Sequence, residues 1–406
     1  MLPTIWQGLA QKNSLTKLTV KFPSNRHPRP ITLAPSIANL QYLHIFDIDP
    51  LCYADDISLL LLASKKLQHL KMHWSPRMRE AQEPSINLAA YFGKCAAAQY
   101  QLQLRSMAVQ NLYTHHDHQW RCETIDHSRL EEITFLNSTG GIEDDGATVF
   151  MDADWRGHHT AAPAQLRSLR IDKVSRQQCE FLTHINNLER LYLLSPHIRA
   201  SHDGQGQSVG AANFPRSPPS STGSPSSIDN NNGLVALKDD YLRAIIKHHG
   251  RTLKHLLLLP QWRLTDDDIA AIVRQCPNLE QLGIGVEFTN FKHLRLLVPF
   301  LSNLTVFRLL GNPDDTTFVN KMRDLDEKGM HEQRIGEETV NQQWSRLRYM
   351  ELGADDMIFE VGKRELVEQV DGGVTTTKSV YRRPVKKTRW DNIKDIDIWK
   401  MDSMIL

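Results

Sequence analysis

Four histidines and a cysteine fall in one short run: His115, His116, His118, Cys122 and His127. Zinc asks for four nitrogen or sulfur ligands converging tetrahedrally. This spacing fits no zinc finger, and no C-x-x-C pair anchors it, so the run reads as a polar connecting loop. A metal-dependent enzyme built on it is the least favoured of three readings. His158-His159 and His248-His249 lack a matched serine or cysteine, so no triad forms. Asp144-Asp145, Asp239-Asp240 and Asp266–Asp268 read as loop or helix-start acids. Gly140-Gly141 and Gly283-x-Gly285 are isolated and make no phosphate loop. Cys95, Cys179 and Cys276 lie in or near helical segments and read as core sulfurs. The expectation is a non-enzyme with no catalytic residue, no cofactor and no metal.

Recognition chemistry is easier to find. Aromatic and arginine side chains carry much of the energy of protein interfaces. They recur here at alternate positions of short apolar runs: Tyr42, His44 and Phe46, then His69, Lys71 and His73, then Arg170, Arg190, Tyr192, His255, Leu257, Arg308 and Tyr349. Alternation along a strand sends such residues to one face. A solvated strand face carries mostly Thr, Ser, Lys and Glu, so these positions are expected to hold a protein client. Leu194, Leu257, Leu259 and Leu310 make the middle of that face greasy. The competing reading is that an insert or the tail folds back over it.

The elements that position these residues form a repeat. The triplet apolar-x-x-apolar-x-apolar begins at Leu15, Leu40, Leu67, Leu104, Leu130, Leu166, Leu188, Leu253, Leu279, Leu304 and Leu347, with a weaker copy at Leu104. Six of the ten spacings fall within the roughly 20–29 residues of a leucine-rich repeat. The preceding segments are helical. In the run from Thr265, Asp268 completes a capping box, and Ile269, Ile272, Val273 and Cys276 form one apolar stripe before Pro277. Ile57, Leu60 and Leu61 repeat that layout, as do Cys179, Leu182 and Ile185, and Leu294, Leu297, Val298 and Leu301. A strand and a helix with one greasy face each must stack on neighbours. The expected fold is α/β: a leucine-rich-repeat solenoid, a curved horseshoe with a parallel sheet on the concave face and helices on the convex face.

The run from Thr265 to Ile284 resembles the cysteine-containing repeat of F-box proteins. Ile398-Trp399-Lys400-Met401-Asp402-Ser403 and Leu352-Gly353-Ala354-Asp355-Asp356 are similar to segments of fungal F-box/leucine-rich-repeat proteins. The resemblance implies the substrate-binding part of a ubiquitin-ligase receptor, whose F-box docks a Skp1-type adaptor and a cullin. About fourteen residues precede the first triplet, too few for an F-box. The box is therefore expected upstream or lost. The alternative is a stand-alone repeat protein with an interaction or regulatory role and no ligase partner.

The chain has 406 residues, 40 % hydrophobic and 23 % charged, enough for a large core and against wholesale disorder. Its net charge of +1 gives no chain-wide polyanion footprint, so nucleic acid is not the expected partner. Five scattered cysteines fit a reducing, intracellular compartment, cytoplasmic or nuclear. No apolar run reaches membrane-spanning length, and neither a signal peptide nor a membrane span is expected. Residues 1–357 are expected to form the solenoid. Within it, 201–233 reads as a disordered Ser/Gly/Pro/Asn-rich insert, with Ser217-Pro218 and Ser224-Pro225 as phosphorylation candidates. Residues 358–406 read as a hairpin, Phe359–Val370 with Val374–Val385, and a tail capping the last repeat. Its cluster of Lys378, Arg382, Arg383, Lys386, Lys387 and Arg389 reads as a solvated face.

Overall fold

Every one of the eleven triplets supplies the inward side chains of a β-strand. The computed structural model describes residues 8, 14–21, 37, 39–48, 54–74, 88–110, 123–136, 164–172, 174–194, 228–286, 292–297, 299–311, 320, 322, 324, 329–340, 345–353, 357–370, 377–403 and 406. The chain packs as two units. One comprises Met1–Leu194, Ala244–His255 and Met404–Leu406, the other Ser195–Arg243 and Leu256–Ser403. The sequence led to one continuous body over 1–357.

In the first unit the chain runs β1 (Lys17–Lys21), β2 (Tyr42–Ile48), α1 (Ala54–Ala63), β3 (His69–Trp74), α2 (Gly93–Ala97), β4 (Ser106–Gln110), β5 (Glu132–Leu136), β6 (Ser168–Ile171), α3 (Arg176–His184) and β7 (Arg190–Leu193). Each strand pairs with the next in parallel. Their register lines up Leu18, Leu43, Leu70, Met107, Ile133, Leu169 and Leu191 in one row. Val20, Ile45, Met72, Val109, Phe135, Ile171 and Leu193 form a second. A slip of one residue would turn every row to the other face, so the leucines fix the register. The weaker copy at Leu104 forms its strand like the rest, with Leu104, Met107 and Val109 buried.

A backbone device repeats along with the leucines. The residue just ahead of each strand offers its carbonyl to two consecutive amides of the next pass. Thr16 accepts from Gln41 and Tyr42, Gln68 from Arg105 and Ser106, and Glu131 from Arg167 and Ser168. A carbonyl has two lone pairs, so this fills both.

The helices bury the stripes read from sequence. Ile57, Leu60 and Leu61 of α1 are fully buried, and so are Leu182 of α3 and Ile185 beyond it. Ser175 caps α3 by accepting the Gln178 amide at 3.3 Å.

Helix α4 spans Ile228–His249. Residues 228–233 are therefore its first turns, which corrects the assignment of 201–233 to the insert. Composition misled there: Asp229 and three asparagines suit a helix start as well as a loop. Residues 201–227, with both Ser-Pro pairs, lie outside the described residues.

After β8 (His255–Leu257), whose first residue belongs to the first unit, the second unit runs β9 (Arg263–Leu264), α5 (Asp266–Gln275), β10 (Gln281–Val286), α6 (Lys292–Leu297), β11 (Val306–Leu310), α7 (Met330–Val340), β12 (Tyr349–Leu352), β13 (Ile358–Val361), β14 (Glu365–Val370), β15 (Thr377–Arg382), β16 (Val385–Lys387) and α8 (Asp397–Lys400). Strands β10, β11 and β12 are parallel, with Leu282, Phe307 and Met350 in one row and Ile284, Leu309 and Leu352 in the next. The capping box of α5 forms: Thr265 Oγ1 accepts the Asp268 amide and Asp268 accepts the Thr265 amide. Lys238 of α4 reaches Asp268 at 2.9 Å.

Then the direction reverses. β13 runs antiparallel to β12, and β16 antiparallel to β13, so the edge of β12 is paired. The expected long hairpin is thus broken into two pairs, with β14 and β15 a separate ribbon. The break falls at Gly362 and Pro384. The Gly362 amide donates to the Pro384 carbonyl at 2.7 Å, and Arg383, largely buried, donates to the carbonyls of Gly362 and Leu347. Arg383 therefore leaves the solvated cluster expected of it. The chain is mixed α/β, and its β-strands pair mostly in parallel.

Candidate recognition face

The outward positions of β1, β2 and β3 bring five of the sequence-derived candidates together. Tyr42 and His69 are register partners and stack flat, with ring centroids 4.2 Å apart and planes 3° apart. His44 lies against Phe46 at 3.6 Å, and Phe46 meets His73 edge-on at 6.4 Å. Tyr42 remains 43 % exposed, while His44, Phe46, His69 and His73 are half-buried. Lys17, in register with Tyr42, and Lys71, in register with His44, flank the rings.

The His44 and His69 imidazoles are neutral at physiological pH. Burial pushes His44 down to about 4, helped by Lys71, His73 and Lys17. Burial also lowers His69, with Glu132 acting in the opposite sense. A neutral imidazole offers both a donor and an acceptor. The face therefore combines flat apolar area with directional hydrogen bonding, the composition that suits a protein segment.

Beyond β3 the same face closes. Ala108, Gln110, Ser168, Arg170 and Tyr192 are buried. The Tyr192 hydroxyl and His255 Nδ1 share a hydrogen bond of 2.8 Å. Arg190, half-buried, donates to Glu132 at 2.6 Å, and the register places the small Ser168 between them. The Leu406 amide donates to Gln110 Oε1 at 3.1 Å, so the last residue of the chain lies on β4. Arg170, Tyr192 and His255 are thus internal groups, which corrects the expectation of an open surface there.

In the second unit, Leu257, Arg308 and Tyr349 are also buried, again against expectation. The cover is the C-terminal segment. Arg308 donates to Glu351 from Nε at 2.8 Å and from Nη2 at 3.2 Å, to Asp402 at 2.8 Å and to the Ile398 carbonyl at 3.0 Å. Trp399 donates its indole N–H to Glu351 and stands edge-on to Tyr349 at 6.3 Å. The Ile398 amide donates to Gln281. A side chain at Gly283 would overlap Leu257 and press on Ile398, so glycine there lets the tail approach. The competing reading, a tail folded back over the greasy face, describes these strands. Asp402 was missed as Arg308's partner, because nothing local links two residues 94 apart.

The histidine-rich run contributes one described member, His127, buried in a short 3-10 turn; His115, His116, His118 and Cys122 lie outside the described residues. Among the described residues no cluster of three or more His, Cys, Asp or Glu stands ready for a metal. Burial pushes the Cys95 thiol up to about 11 and that of Cys276 up to about 12, which keeps both protonated and poor as nucleophiles. Among the described residues no helix is long and apolar enough to cross a membrane. In comparisons with known proteins, no family model and no curated protein matches the chain.

Proposed function

We propose that this protein is a non-enzymatic recognition scaffold, a leucine-rich-repeat solenoid that holds a protein client on the outward side chains of β1–β3. The observation that carries this reading is the cluster of Tyr42, His44, Phe46, His69 and His73, which stays accessible where Arg170, Tyr192, His255, Leu257, Arg308 and Tyr349 are buried. Rigid aromatic side chains on strands lose little entropy when a partner docks. The resemblance to fungal F-box/leucine-rich-repeat proteins supplies the client's expected fate, delivery to a Skp1-type adaptor and cullin. The parallel register of the repeats supports the solenoid half of that reading.

The test is capture of the endogenous protein by antibody, compared between the wild-type chain and Tyr42→Ala/Phe46→Ala/His69→Ala. The account expects a stoichiometric partner that the triple variant loses while its urea midpoint stays near wild type. A partner retained in full by the variant would remove the face from consideration. Recovery of an adaptor and a cullin would support the ligase assignment. Their absence beside a stoichiometric partner would leave a stand-alone scaffold.

A further inference from the structure

A recess of about 390 Å³ opens at the leading ends of β3, β4, β5 and β6, on residues distinct from the recognition face. Its walls carry four cations, Lys65, Lys66, Arg105 and Arg129, against one carboxylate, Glu131. The formal sum over those five is 4 − 1 = +3, while the whole chain sums to +1. The backbone there is already committed, because the carbonyls of Gln68, Arg105 and Glu131 each accept two amides. Side chains therefore set what the recess can bind.

Each cation has only a loose hold. The Lys65 ammonium sits 3.4 Å above the centre of the Tyr100 ring, and Lys66 donates to Asn39. Arg105 meets Glu131 at 3.5 Å and Arg129 meets Asp126 at 3.3 Å, with the arginines 58 % and 56 % exposed. Exposed pairs of this kind contribute little and exchange partners readily. Guanidiniums bind phosphate through two parallel N–H bonds. A phosphate monoester brings about −1.5 to −2 charge and three acceptor oxygens, against one charge for a carboxylate. We propose that this recess binds a phosphate monoester through Lys65, Lys66, Arg105 and Arg129, borne by a small organic phosphate or by a phosphorylated peptide. Gln103 and Ser128, whose hydroxyl donates to Asp126 at 2.6 Å, complete the polar lining.

Calorimetric titration of the full chain tests this, with inorganic phosphate, a short peptide phosphorylated on one serine, and the same peptide unphosphorylated, all at one ionic strength. Both phosphate-bearing probes are expected to bind, and the unphosphorylated peptide to give no heat. In Arg105→Ala/Arg129→Ala the affinity should fall about tenfold or more, which is roughly 1.4 kcal/mol or above. That variant's urea midpoint should hold, since both side chains are exposed. A phosphopeptide tighter than inorganic phosphate makes the peptide the source; equal affinities make it a small phosphate. The proposal is overturned if neither probe binds, if the double variant binds as well as wild type, or if sulfate competes equally. Tighter binding of a single-stranded oligonucleotide, with a steep salt dependence, would also overturn it and mark a general polyanion surface.

Discussion

At the scale of single residues, Arg308 carries the heaviest electrostatic duty. It is 1 % exposed and lies between two carboxylates that are themselves buried. Removing the cation alone strands Glu351 and Asp402 in a dry site, a change that typically costs about 3–5 kcal/mol. Arg308→Met is therefore expected to lower the urea midpoint of the second unit strongly. Replacing Arg308, Glu351 and Asp402 together with apolar residues should recover much of that loss. Equal midpoints for Arg308→Met and wild type would deny the network. The histidines give a pH signature. His44 and His249 titrate near 4 in the folded chain, both mainly through burial, against an ordinary value of 6.5. Between those values the unfolded chain binds more protons, so stability is full above about 6.5 and falls as pH drops toward 4. Urea midpoints at pH 7 and pH 5 should show the decline. His249→Gln, which can still donate toward the Leu182 carbonyl that His249 contacts at 2.8 Å, should make the slope shallower.

At the scale of elements, local signals were read well and long-range cover was not. The triplets announced the strands because period-two burial and the leading leucine are written within a few residues. Thr265 and Asp268 announced the start of α5 for the same reason, and Thr265→Ala should cost about 1 kcal/mol in chemical denaturation. Gly283 and Gly285 read as an isolated pair with no evident task. In the fold both sit on the outward face of β10 and make room. A Cβ at Gly285 would stand 2.6 Å from the Pro260 carbonyl oxygen, which is backbone and cannot swing aside. Gly285→Ala should destabilise by about 1–3 kcal/mol. Gly283→Ala should cost less, because the obstruction is the tip of the Leu257 side chain. Thermal melts of the two variants, ranked in the opposite order, would count against this account of β10. The broken hairpin has a similar origin: Pro384 and Gly362 are visible in sequence, but their mutual contact is not.

For the whole molecule, the outcome turns on which outward-facing side chains stay accessible. Sequence alternation placed thirteen candidates on one side of the strands. It could not show that Ile398, Trp399 and Asp402 lie over β10–β12, or that Tyr192 and His255 satisfy each other. What remains open is the aromatic and histidine cluster of β1–β3. Hydroxyl-radical footprinting of the full chain, alone and with its captured partner, tests this most directly. The account predicts rapid labelling of Tyr42 in the free protein, its protection in the complex, and slow labelling of Tyr192, Tyr349 and Trp399 in both. Fast labelling of Tyr349 and Trp399, or protection confined to them when the partner binds, would contradict it.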